Sequence, residues 1–301
     1  MLTGYCSLLI TLLFAAPPQQ AEKPLPDLPG FIAEFRKTLQ SDSKLLSQYT
    51  YMEKDSEISL DSKGQPKKTE TKVYQVIHGE KEWQTYERLI SKNGVAQTEK
   101  ELAKQDREEK ERVEKQARKE DKQSEEKRRA EKAKRDKEEQ ETLDEVFAMY
   151  DIQMVRREVI NDHPTILLTF KARPGHKAKT SDAKIMIHIA GRAWVSETEH
   201  ELVRLEAEII DTISLAAGLL ARVNKGSTLA FERRKVNDEI WLPIRAEATI
   251  NARILLLKGL NMKEVAEFSD HQKYSVESKI TFGDPVDAPT PPPTPPAKPK
   301  P

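Results

Sequence analysis

The stretch IRAEATINARILL, Ile244 to Leu256, limits the possible folds of this chain more than any other. Ile244, Ala246, Ala248, Ile250, Ala252, Ile254 and Leu256 alternate with Arg245, Glu247, Thr249, Asn251 and Arg253. A period of two puts one set on a dry face and the other in water, which is the pattern of a strand in a sheet covered on one side. The same alternation recurs in ELVRLEAEII, where Val203, Leu205, Ala207 and Ile209 alternate with Arg204, Glu206 and Glu208. In AKIMIHIAGRAWV it predicts a strand with Ile185, Ile187, Ile189 and Val195 on one face beside Gly191 and Ala193. Half-wet strands of this kind belong to antiparallel sheets.

The remaining segments extend that sheet. YTYMEKDSEISLDSKGQPKKTETKVYQVIHGEKEWQTYERLI reads as a three-strand meander with turns at Asp61–Gly64 and His78–Lys81, and a further turn follows at Ser91–Gly94. YDIQMVRREVINDHPTILLTFKARPG gives two strands joined at Asn161–Pro164, and GLLARVNKGSTLAFERRKVNDEIWLP gives two more with a turn at Asn237–Asp238. A final pair is expected near Lys263–Phe268 and Ser275–Thr281. Phe31, Ile32, Phe35, Leu39, Leu45 and Leu46 recur at helical spacing and predict an amphipathic helix. No alternation of strand and helix suggests a parallel sheet. The fold class expected is mainly β, within α+β: a curved antiparallel half-barrel of about ten or eleven strands with an N-terminal covering helix and a long charged helical insertion. A closed barrel or a two-sheet sandwich is the structural rival.

The insertion runs from Gln97 to about Leu143. Between Ala103 and Glu141 stand fifteen Lys or Arg and fourteen Asp or Glu, with no proline or glycine. Pairs such as Glu111 with Lys115 and Glu125 with Arg129 are four residues apart, and each adds about 0.2–0.5 kcal/mol to a helix. Leu102, Val113, Ala117, Ala130, Ala133 and Leu143 are too irregularly spaced for a heptad seam, so no strong coiled coil is expected. The near-neutral charge of the block, with fifty basic and fifty acidic side chains in the whole chain, excludes a nucleic-acid arm. A solvated helix follows, either continuous or folded back near Gln123–Ser124.

The chain divides into residues 1–21 as a signal peptide, 24–96 and 147–283 as two parts of one sheet domain, 97–146 as the insertion, and 284–301 as a disordered proline-rich tail. The apolar run Leu8–Ala16 fits an export signal and is too short for a membrane anchor. Cys6, the only cysteine, lies within residues 1–21, so a mature chain is expected to have no disulfide and no thiolate metal site.

The search for chemistry returns little. The six histidines lack metal-ligand spacing, and no nucleophile elbow, phosphate loop or dinucleotide fingerprint is present. No catalytic residue, metal or cofactor is assigned. Trp83, Trp194 and Trp241 are expected to pack in the core or rim. Leu260 and Met262, around Gly259 and Asn261, form an expected hairpin tip that could touch lipid.

AKIMIHIAGRAWVSETEHELVRLEAEI, NDEIWLPIRAEATINARILLLKG and EFSDHQKY, within residues 183–274, resemble the exported LolA/LolB-like superfamily, which includes outer-membrane lipoprotein-sorting proteins. The resemblance implies an unclosed half-barrel in the periplasm, helices on its concave apolar face, and acyl chains bound there without catalysis. The charged insertion and the proline tail depart from that pattern. The resulting expectation is a periplasmic or secreted carrier holding a lipid or lipoprotein acyl chain. Its face comprises Ile185, Ile187, Ile189, Val203, Leu205, Ala207, Ile209, Ala246, Ala248, Ile250, Ala252 and Ile254. An envelope interaction or sensor scaffold, whose long helix engages a protein partner, is the alternative, and an undetected hydrolase the third reading. Oligomeric state is left open.

Overall fold

The computed structural model describes residues 23–39, 48–79, 81–215, 221–254 and 258–273. The expected signal peptide, the proline tail and the strand at Ser275–Thr281 lie outside them. Helix α1 (Leu28–Thr38) begins where the Asp27 carboxylate accepts a hydrogen bond from the Gly30 N–H at 3.0 Å, with Pro29 in the first turn. Strands β1 (Tyr49–Leu60), β2 (Pro66–Ile77), β3 (Tyr86–Lys92) and β4 (Val95–Ala96) form the expected meander plus a short fourth strand. The charged block follows as two helices, α2 (Glu99–Asp121) and α3 (Glu125–Met149). The chain then runs through β5 (Tyr150–Ile160), β6 (His163–Ala172), α4 (Ser181–Met186), β7 (Ile189–Ser196) and β8 (Leu202–Ile209). Two short strands, β9 (Ile213–Leu215) and β10 (Ala221–Val223), precede β11 (Thr228–Val236), β12 (Ile240–Ile254) and β13 (Lys258–Lys273).

Together these make one open, curved 13-stranded sheet in the order β4-β3-β2-β1-β13-β12-β11-β8-β7-β6-β5, with β10 on β12 and β9 beyond it. Expectation and structure differ in strand number because β4, β9 and β10 are only two or three residues long, too short to show a period. The tight hairpins carry the turn chemistry the sequence announced. Asn93–Gly94, Asn161–Asp162 and Asn237–Asp238 all have positive φ at both positions, the conformation that Asn, Asp and Gly tolerate best.

The insertion breaks at Lys122–Ser124, where Ser124 becomes the N-cap of α3 and accepts from the Lys127 N–H at 3.3 Å. Helix α2 lies along the edge strand β3. The Gln105 amide accepts from the Leu89 N–H at 2.9 Å and donates to the Leu89 carbonyl at 3.1 Å. A side chain thus takes the place of a neighbouring strand where β4, paired only with Ser91 and Lys92, does not reach. Asp106 accepts from Tyr86 at 2.9 Å and Arg88 at 2.8 Å, and the far end of α2 is fixed by Glu120 on Lys81 and on the Trp83 indole. Residues Glu125 to Glu141 are all exposed. Helix α3 docks on α1 through its last turns: Asp144 pairs with Arg36, and Phe147 packs edge-on against Phe35 at 6.2 Å. It then feeds directly into β5. The insertion therefore leaves one lateral edge of the sheet and arrives at the opposite one.

The main core lies under α1. Phe31 and Phe35 pack on Ile166 and Leu168 of β6 and Ala193 and Val195 of β7, with Ile152, Met154, Phe170 and Leu205 around them. The three tryptophans are structural, each indole N–H donating to a carboxylate: Trp83 to Glu120 at 2.8 Å, Trp194 to Glu158 at 2.6 Å and Trp241 to Glu199 at 2.9 Å.

Candidate apolar binding face

Residues directly opposite each other in an antiparallel ladder share a face, so the register can be read across the sheet. One row runs Phe170, Gly191, Ala207, Leu229, Ala248, Glu264, Glu57, Glu70. The adjacent row on the same face runs Leu168, Ala193, Leu205, Phe231, Ala246, Ala266, Asp55, Lys72. Ile189 pairs with Ile209, and Ile250 with Met262. Leu168, Ala193 and Leu205 place this face against α1.

Helix α1 seals only the part over β5 to β8. Further across, Leu229 is 44% exposed, and Ala207, Ile209, Ala246, Ala248, Ile250, Leu260 and Met262 are only half-buried. Among the described residues, no helix packs over this stretch as α1 does over its neighbours, although Ala252 at its end is buried. Small residues make it a shallow trough: Gly191, Ala207, Ala246, Ala248 and Ala266. At Gly191 the approach of the ladder is so close that an added Cβ would stand 2.1 Å from the Glu206 carbonyl oxygen and 2.7 Å from the Phe170 ring. The opposite face is wet, crossed by ion pairs such as Arg204–Glu206 at 2.6 Å and Arg245–Glu247 at 2.9 Å. A depression of about 450 Å³ over Ala190, Arg192, Glu206, Ala230 and Glu247 mixes charged side chains with apolar residues, among them Ile210 and Leu229.

Ile189, Leu205, Ala207, Ile209, Ala246, Ala248, Ile250 and Ala252 come together on the predicted face, and Ile254 continues it in register opposite Lys258. Three placements need correction. Ile185 and Ile187 are not in a strand: Ile185 is in α4 and Ile187 caps its C-terminus. The Thr180 hydroxyl accepts from the Ala183 N–H at 3.1 Å, and the Glu145 carboxylate accepts from the Lys179 and Thr180 N–H groups, which fixes that turn. Val203 is fully buried, but a bulge in β8 puts Leu202 opposite Val195 and under α1 in its place. Leu260 and Met262 are not at a hairpin tip. They lie within β13 opposite Ala252 and Ile250 and so belong to the face itself.

An acidic flank, not legible in the sequence, borders the trough. Glu53, Asp55, Glu57 and Glu264 share the face with the trough, because β1 alternates polar with polar and shows no period. Burial, then the charges of Glu87, Asp55 and Glu264, push the Glu53 carboxyl up to about 7. Burial also raises Asp55, with Lys72 opposing. Tyr51, packed against His78, Phe268 and His271, is pushed up to about 12 by burial and by Glu53 and Glu87. No group of three His, Cys, Asp or Glu suited to hold a metal ion occurs among the described residues.

No protein family matches this chain, and no curated protein matches it. Among solved structures it is similar to a LolA superfamily protein from Nitrosomonas europaea, at 9% identity and a TM-score of 0.30, covering 82% of this chain and 94% of that one. It is also similar to a domain assigned as an outer membrane lipoprotein-sorting protein from Vibrio parahaemolyticus, at 12% identity and 0.27, covering 81% and 92%. A third likeness, to a DUF1329 family protein from Desulfovibrio piger, has 11% identity and 0.26, covering 81% and 92%. At these values the matches assign neither ligand nor activity. No described helix is long and apolar enough to cross a membrane.

Proposed function

We propose that this chain is a non-enzymatic carrier that holds a lipid acyl chain on the trough between α1 and β13. The observation that carries the reading is the apolar face that no described helix covers, with Leu229 exposed and Ala207, Ala246, Ala248, Ile250 and Met262 half-buried beside strands sealed by α1. The resemblance of residues 183–274 to LolA/LolB-like carriers supports the same reading. Binding is the reversible burial of hydrocarbon, at about 0.8 kcal/mol per methylene, and α1 forms one wall of the site. Under this reading residues 1–21 direct export to the periplasm, residues 24–96 and 147–283 form the carrier domain, and residues 284–301 are an accessory tail. Native mass spectrometry after gentle extraction tests it. Co-purified lipid that is lost on Ala248→Trp is the expected result; a protein that emerges ligand-free from lipid-rich extracts would count against it.

A second reading gives α3 a protein partner in the envelope, since every residue from Glu125 to Glu141 is exposed. Exchanging Lys and Glu along this segment preserves its pairing but changes its surface. Loss of a crosslinked partner with lipid binding intact would favour this second role.

A further inference from the structure

The trough has an asymmetric border. On the α1 side it meets the core, whereas on the β13 side the same rows turn acidic within one strand: Glu264 stands opposite Ala248, and Glu57 is next in line. With strands about 4.8 Å apart, the backbones of these two residues lie roughly 5 and 10 Å from that of Ala248. In the other row Ala266 and then Asp55 follow Ala246. The cations on this flank are already engaged: Glu70 pairs with Lys72 at 3.4 Å and Lys92 at 3.1 Å, and Lys72 also faces Asp55. Glu53 has Glu87, Asp55 and Glu264 as its charged neighbours.

We propose that the occupant of the trough is a single-chain amphiphile with a cationic head, its chain over Ala246 and Ala248 and its head against Glu57 and Glu264. This rests on the carrier reading above and adds the head-group class. A positive head relieves the crowding of like charges, whereas a carboxylate or phosphate head adds to it. The small-residue floor favours a chain over a helix: Ala246 and Ala248 are two residues apart, about 7 Å along β12, before the larger Ile250 and Met262 follow on the same face, while an α-helix with its side chains is about 10–12 Å across. The Glu53 carboxyl, raised by burial and then by Glu87, Asp55 and Glu264, agrees with carboxylates crowded on this flank.

Calorimetric titration with dodecylammonium, dodecyl maltoside and dodecanoate, all below their micellar concentrations, tests this on the full chain. Dodecylammonium is expected to bind at least about tenfold tighter than dodecanoate, or 1.4 kcal/mol, and the preference should shrink in about 0.5 M salt. In Glu57→Gln/Glu264→Gln it should vanish while dodecyl maltoside binding is unchanged, which also reports that the variant is folded. Equal affinity for the three probes would overturn the head-group assignment and leave the carrier reading standing. Binding of none would overturn both. Binding only of a Lys/Leu amphipathic helical peptide, or a dimer burying this face in sedimentation equilibrium, would assign the trough to another occupant.

Discussion

Replacing Gly191 by alanine should destabilise the protein although it adds only one methyl. Two effects compete. Removing glycine from a strand interior ordinarily stabilises by about 0.5–1 kcal/mol, because the unfolded chain loses freedom. Against this, the new Cβ would stand 2.1 Å from the Glu206 carbonyl oxygen, 2.7 Å from Phe170 Cζ and 2.9 Å from Ala207 Cα. Phe170 can turn away, but the other two atoms are backbone of the paired strand β8, so the ladder itself must shift by roughly an ångström to restore contact distance. Overpacking of this kind costs about 1–3 kcal/mol, and a backbone obstacle belongs at the upper end. The net expectation is a loss of about 1–2 kcal/mol, read as a lower urea midpoint with an unchanged slope. Gly259, on β13 of the same sheet, has nothing within 4 Å of its added Cβ, so Gly259→Ala should be neutral or slightly stabilising. A Gly191→Ala protein with a midpoint equal to the wild type would refute the close β7–β8 approach on which the trough depends.

Two other expectations follow from named contacts. Because the folded-state value of Glu53 is raised from 4.5 to about 7, its contribution to stability is fully present below about pH 4.5 and is lost as pH rises through about 7. His78 and His271, held low by burial, act in the opposite sense, so the readout is the difference in urea midpoint between wild type and Glu53→Gln. That difference should fall steadily from pH 5 to about pH 7.5; a difference constant with pH would be inconsistent with the acidic flank. Gln105→Ala leaves the Leu89 N–H and carbonyl unpaired on a strand edge, which should cost about 1–3 kcal/mol and raise concentration-dependent self-association in light scattering. Unaltered stability and scattering would mean that α2 does not guard the edge.

The sheet was legible where one face is dry and the other wet. β8 and β12 show which face each residue takes by plain alternation of apolar and polar residue types, and the Asn-Asp and Asn-Gly turns fixed three hairpins. The short apolar run at Ile185–Ile187 was not legible, because a few apolar residues suit a helical turn as well as a strand, and the capping by Thr180 and Glu145 decides the matter. The bulge that exchanges Val203 for Leu202 is a register effect between two strands and leaves no local trace. The same holds for the acidic flank: Glu53, Asp55 and Glu57 look like an ordinary wet strand until pairing with β13 places them beside Ala266 and Glu264. The charged block was legible as helix, but its path from the edge at β3 to the edge at β5 depends on contacts far apart in the chain, such as Arg36 with Asp144.

The most direct test of the central claim is the dependence of affinity on chain length. Calorimetric titration of octyl, decyl and dodecyl maltosides against the full chain should show binding that tightens by about 0.8 kcal/mol per methylene, roughly fourfold each, until the trough is filled. In Ala248→Trp, where the floor is occupied, this dependence should disappear. Affinity independent of chain length, or a dependence that Ala248→Trp leaves intact, would contradict the assignment of this face as a hydrocarbon site.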